Sequence, residues 1–162
     1  MPQAQTTFVL IKPDAIRRRL VGAVLSRLET LGLEILGAKA VRVTKALAEE
    51  HYRHLKPQPF YGELIELLEG KLHGTSYVLA FVLWGPGAIA RVRAAAGATN
   101  PEQADPTSIR GALGRVTGAG VMENVLHASS DEGEAQREIA LWFTPSELLP
   151  LPVAPATTGG TA

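Results

Sequence analysis

The sequence predicts a layered α/β (α+β) fold, with one folded domain over residues 1–144. Three observations predict it. Short runs dense in β-formers, at residues 8–11 and 76–84, alternate with stretches whose apolar residues recur at helical spacing. The chain has 162 residues, 46% hydrophobic and 20% charged, which is enough to bury one core. After Thr144 the composition turns to Pro, Ala, Thr and Gly, so residues 145–162 read as a flexible tail.

Phe8-Val9-Leu10-Ile11 is a continuous apolar run and reads as a strand buried on both faces. From Leu20 the spacing becomes helical: Leu20, Val24, Leu28 and Leu31 share a face, and Gly32 stands where a C-cap falls. Leu33, Ile35, Val41 and Val43 return to period two, with a bulge or half exposure expected at Gly37. Thr44 is the expected N-cap of a helix to about His54, stopped by Pro57 and Pro59. Residues 60–68 are helical again, 76–84 form a central strand, and Ile89, Val92 and Ala96 give the next helix its face. Residues 97–129 show little periodicity and read as a long functional loop. An acidic helix follows from Asp131 to Glu138, and residues 139–143 are expected as the last strand. A ferredoxin-like antiparallel sheet covered by helices, packed on one face, is the simplest closure of this order.

Composition excludes several chemistries. The absence of cysteine removes disulfides, thiolate metal sites and cysteine nucleophiles. A formal net charge of zero argues against binding nucleic acid through a phosphate-neutralising surface. Residues 1–12 show no charged-then-apolar signal pattern, and no apolar run is long enough for a bilayer, so a soluble cytoplasmic protein is expected. No G-x-x-x-x-G-K-[ST] loop is present, and Gly118-Ala119-Gly120 lacks the third glycine of a dinucleotide fingerprint.

Chemistry therefore falls to the histidines and to isolated cations. His51 and His54 read as exposed helix residues, and His73 as a solvated turn residue. By its neighbours alone His127 reads as a histidine satisfied by a hydrogen bond. Lys12, Arg93 and Arg110 are scattered charges that strand ends and loops can gather at one sheet edge.

Taken together, several segments resemble the nucleoside diphosphate kinases. They are Lys12-Pro13-Asp14-Ala15, Glu49-Glu50-His51-Tyr52, Lys56 to Phe60, Gly97-Ala98-Thr99-Asn100-Pro101, Ser108-Ile109-Arg110-Gly111 and, above all, Asn124-Val125-Leu126-His127-Ala128-Ser129. Arg137 to Phe143 resembles the closing helix and strand of that family. The resemblance implies that His127 takes the γ-phosphate of a nucleoside triphosphate and passes it to a diphosphate. It implies Glu138 as the group orienting His127, with Tyr52 and Ser129 beside it. Lys12, Arg93 and Arg110 would clamp the phosphates with Thr99. Lys12 and Asn124 would hold the ribose side, and Phe60 and Val121 would sandwich the base. Mg2+ would be carried mainly by the phosphates, and the assembly would be a homo-oligomer, hexamer or tetramer.

The chain departs from the family pattern at four places. Ala128 replaces the glycine that follows the histidine in many relatives, and Leu55 stands where many carry a histidine. His54, its neighbour, is expected to point away. The stretch after Gly111 is longer, as is the stretch from Gly70 to Ser76, which is expected to leave the site untouched. The rival reading is a nucleotide-binding or assembly protein on the same scaffold with weak or no turnover.

Overall fold

The computed structural model describes residues 2–152. Strand β1 (Ala4–Ile11) is followed by two short helices, α1 (Pro13–Arg17) and α2 (Val21–Glu29), and by strand β2 (Glu34–Val41). Helices α3 (Lys45–His51) and α4 (Tyr61–Leu68) then lead to β3 (Val78–Pro86) and α5 (Ala88–Ala96). Helix α6 (Ile109–Leu113), the hairpin β4 (Arg115–Val116) and β5 (Met122–Glu123), strand β6 (Leu126–Ala128) and helix α7 (Glu132–Trp142) complete the core. The main sheet is antiparallel in the order β2-β3-β1-β6, which is the ferredoxin-like arrangement.

The two central strands explain the layering. Phe8 and Leu10 of β1, with Ala80 and Val82 of β3, bury against Ala48, Ile65, Leu68 and Trp142 of α3, α4 and α7. Val9, Ile11, Phe81 and Leu83 point the other way, against Val24 and Leu28 of α2 and Val92 and Ala96 of α5. Successive side chains alternate faces, so strands apolar in both phases need cover on both sides. The expected one-face packing is therefore corrected: helices flank the sheet on both faces.

The expected bulge appears as a register shift between Ile35 and Gly37. Thr44 caps α3 by accepting from the Leu47 amide at 3.2 Å. The expected strand at 139–143 is instead the end of α7. Ala135, Glu138 and Trp142 are its buried residues and follow helical spacing, while Asp131 Oδ1 caps the start by accepting from the Glu134 amide at 2.9 Å. The fourth strand is β6, three residues long, inside the stretch expected to be loop.

Beyond residue 144 the chain folds back on β2. The Leu149 amide donates to the Leu36 carbonyl at 2.7 Å, and Lys39 pairs with Glu147 at 2.7 Å. Leu148 packs on the core, whereas Leu149 and Leu151 stay exposed. The flexibility expected of residues 153–162 lies outside the described residues.

Candidate active site

The site is assembled by the turn that leaves β1. The Lys12 amide donates to the Val125 carbonyl at 2.9 Å, and Asp14, buried in the first turn of α1, accepts the Val125 amide at 2.9 Å. These two bonds hold Val125 at φ 75°, a conformation that a β-branched residue rarely adopts. Such a residue costs on the order of 1–3 kcal/mol, and it persists because the surrounding bonds over-determine it. The next residues enter the sheet: Leu126 pairs with Ile11 and His127 with Leu10.

The His127 ring is thus fixed at a sheet edge, and α7 fixes its protonation. Glu138 Oε1 lies 2.7 Å from His127 Nε2, and the Ser129 hydroxyl donates to the other carboxylate oxygen at 2.6 Å. Ser129 also ends the strand, its Oγ accepting from the Phe8 amide at 3.1 Å. Burial raises the pKa of Glu138, opposed by the Ser129 hydrogen bond and nearby cations. With Glu138 as a carboxylate, Nε2 carries the proton and Nδ1 keeps the lone pair. Burial, reinforced by the charges of Lys12 and Arg110, pushes the His127 pKa down to about 3, so the ring is neutral at physiological pH.

His51 is not exposed, which corrects the sequence expectation: it is fully buried, with its ring 4.5 Å from that of His127 in an edge-on arrangement. Its Nδ1 accepts from Trp142 Nε1 at 3.2 Å, so the proton of the neutral ring sits on Nε2. Burial first, then the proximity of His127, holds its pKa well below the usual histidine value. His51, His127 and Glu138 form the one group of metal-ligand type among the described residues. A metal on His51 Nε2 would need a proton on Nδ1, facing the indole N–H, so this group does not fit a metal.

A cavity of about 660 Å³ opens in front of His127. Lys12 is buried in its wall, and its ammonium donates to Asn124 Oδ1 at 2.8 Å. The Asn124 amide in turn donates to the Thr99 carbonyl at 3.0 Å. Burial, opposed by Asp14 and aided by Arg110, pushes the Lys12 pKa down to about 8. Arg110 follows the Ser108 cap of α6 and spans the loop, donating to the Gly97 and Leu126 carbonyls, each at 2.9 Å. Gly97 has φ 82°, and a Cβ there would overlap the Ser108 hydroxyl, so only glycine lets the chain pass. Arg93 and Thr99 line the cavity from exposed positions, and the buried Tyr52 lines it beside His127.

Phe60, 50% exposed, stands at the rim with Leu64 of α4. Facing residues come from the β4–β5 hairpin, but here the expectation is corrected: Gly120 and Met122 line the cavity, and Val121 is not in its wall. His54, expected to point away, lines the cavity, and so does Leu55. Both belong to a 3₁₀ turn at Arg53–Leu55 rather than to an α-helix, so α-helical spacing from His51 does not set their directions. Pro57 and Pro59 were the available signal that the helix breaks there.

A neutral histidine with a free nitrogen, facing cations across a nucleotide-sized cavity, is an arrangement suited to phosphoryl transfer. The comparisons with known proteins give the family. The nucleoside diphosphate kinase model matches residues 5–148. The nucleoside diphosphate kinase of Staphylococcus haemolyticus is 46% identical over 89% of this chain and 91% of its own length. That of Thermus thermophilus is 43% identical over 90% and 99%. Among solved structures, the Halobacterium salinarum nucleoside diphosphate kinase in complex with CDP matches with a TM-score of 0.83 and 37% identity, covering 93% of this chain and 95% of that one. The Borrelia burgdorferi enzyme with bound vanadate and ADP matches at 0.81 and 34%, covering 93% of each. The chain belongs to the nucleoside diphosphate kinase family and is a phosphotransferase of that kind.

Proposed function

We propose that the γ-phosphoryl group passes through Nδ1 of His127 in two in-line displacements. Nδ1 attacks the γ-phosphorus of a nucleoside triphosphate, the bond to the β-phosphate oxygen breaks, and the diphosphate departs. A terminal oxygen of a second nucleoside diphosphate then attacks the phosphohistidine and releases Nδ1. The observation that carries this reading is the 2.7 Å contact of His127 Nε2 with Glu138, which commits the proton to the nitrogen away from the reaction. The Glu138 carboxylate also balances the positive charge that the ring gains on attack. Lys12, Arg93 and Arg110 neutralise the phosphates, with Thr99 as hydroxyl donor. Asn124 holds the ribose side with Lys12, and Phe60 stacks on the base, a contact open to every base.

Among the described residues the cavity wall carries a single carboxylate, Glu63, beside these cations, and so offers no acidic cage for a divalent ion. Magnesium accordingly enters with the nucleotide, as part of the substrate. Among the described residues no helix is long and apolar enough to cross a membrane, and with the cysteine-free composition this supports a cytoplasmic location. Ile35, exposed on the edge strand β2, and an apolar groove of about 430 Å³ lined by Leu36, Leu148 and Leu149 support a homo-oligomer, hexamer or tetramer. Initial velocities test the two-step route. Varying ATP at several fixed concentrations of a second nucleoside diphosphate should yield parallel double-reciprocal lines. Intersecting lines would require both nucleotides to be bound at once and would remove the phosphohistidine route.

A further inference from the structure

The two longer stretches, after Gly70 and after Gly111, meet at one side chain. Glu123 ends β5, is 5% exposed and directly precedes Asn124. One carboxylate oxygen lies 2.9 Å from His73 Nε2. The other accepts from Arg115 Nε at 2.5 Å and has Arg18 at 3.8 Å. His73, expected to be solvated, is thus largely covered, and the stretch from Gly70 to Ser76 is not remote from the site.

The partners come from different walls of the cavity. His73 sits in a turn fixed to the end of α4: the Thr75 amide donates to the Gly70 carbonyl at 3.2 Å, and the Lys71 amide to the Glu66 carbonyl at 3.0 Å. Helix α4 supplies Leu64 and Leu67 to the cavity. Glu123 and Arg115 face each other across the β4–β5 hairpin, which supplies Gly120 and Met122. Neither Glu123 nor His73 lines the cavity itself. Burial alone would raise the pKa of Glu123, but the hydrogen bonds from Arg115 and His73 outweigh it, and the carboxylate stays ionised. A buried, ionised carboxylate is tolerated only while these donors hold it, so it resists separation of the elements that carry them.

We propose that the His73–Glu123 pair is a clasp between the α4 wall and the hairpin wall, and that it sets nucleotide affinity by fixing the width of the cleft. The pair is a positioning element. It reaches the substrate through Met122, Gly120 and Asn124, and it leaves the phosphoryl transfer step alone. This rests on the kinase reading of the cavity. Its loss should weaken binding of tri- and diphosphates alike and leave kcat near the wild-type value, the signature of lost uniform binding.

The test compares His73→Leu, His73→Gln and Glu123→Gln with the wild-type protein. Each is assayed for KM and kcat with MgATP and a nucleoside diphosphate, and for phosphorylation of the protein by saturating MgATP, read as intact mass. Leucine keeps the bulk without the donor. Glutamine restores an N–H near the position of Nε2. His73→Leu and Glu123→Gln should raise KM for both nucleotides by about 5–10-fold with kcat within about 2-fold, while His73→Gln returns KM toward wild type. All should still take up one phosphoryl group. Unchanged KM in soluble His73→Leu, or an equal fall in kcat, would overturn the clasp. So would a KM rise that His73→Gln fails to rescue. If His73→Leu is insoluble, His73→Gln and Glu123→Gln decide alone: a raised KM in the second and not the first supports the clasp, and equal values refute it. Failure of the wild-type protein to take up phosphate would instead sink the kinase mechanism, leaving the two failures distinct.

Discussion

The floor of the cavity and its rim are built on opposite principles. At the floor, His127, Glu138, Ser129 and His51 lie among Phe8, Tyr52 and Trp142, and His127 Nε2, both Glu138 oxygens, the Ser129 hydroxyl and His51 Nδ1 each have a side-chain partner. At the rim, Phe60, Arg93 and Thr99 are exposed. Burial at the floor sets the chemistry, because it removes the proton from His127 and holds one nitrogen against Glu138. On the proposed mechanism, the exposed rim would leave the base end open to more than one base. An enzyme that must fix one reacting bond while accepting many nucleosides needs this division of rigidity.

Mutations at the floor should therefore act on kcat and those at the rim on KM. The largest effect is expected from His127→Ala, which should lower kcat by about 10⁵-fold or more, because it removes the proposed nucleophile itself. A coupled assay for triphosphate formation reads this directly. Arg110→Gln should cost about 10²–10³-fold in kcat, the usual loss for one pre-organised donor on the transferring group. Glu138→Gln should cost on the order of 10²-fold, because the amide can donate to Nε2 and push the proton onto Nδ1. Comparable Tm for this variant and the wild type would place the loss in the tautomer rather than in folding.

The comparison also has a pH signature. Lys12, with its pKa near 8, loses its charge as pH rises through that value, so kcat/KM for MgATP should fall above about pH 8. Lys12→Arg should move that limb upward, since the guanidinium stays charged. His127, with its pKa near 3, stays neutral down to strongly acid pH and should contribute no acid limb between pH 5 and 8. An acid limb in that range that disappears in a His51 variant would transfer the titration to the neighbouring ring. The smallest effect is expected at the rim: Phe60→Ala should raise KM about 10-fold with kcat nearly unchanged, the worth of one stacked ring. A large fall in kcat from Phe60→Ala would break the division between floor and rim.

The layered fold was legible because β1 and β3 carry continuous apolar runs and α2 and α5 carry apolar residues at helical spacing. Strand β6 was not, since three residues cannot display a period, and its pairing partner lies in β1. Residues 139–143 misread as a strand because Ile, Trp and Phe are strong β-formers. The helical face becomes visible only when Ala135 and Glu138 are counted with Trp142. The site was legible through a string of motifs, including His127, Lys12, Arg110 and Asn124. What remained hidden were contacts between distant residues: the partner that buries His51 is 91 positions away, and the one that engages His73 is 50. No local pattern encodes such pairs, so histidines that look exposed by spacing proved to be covered.

The most direct test of the central claim is intact-mass measurement of the purified protein mixed with magnesium-ATP, beside His127→Ala. The account predicts one added phosphoryl group, labile to acid, discharged by GDP and absent from the variant. A wild-type protein that binds ATP and gains no mass, or a variant that gains the same mass, would contradict transfer through His127.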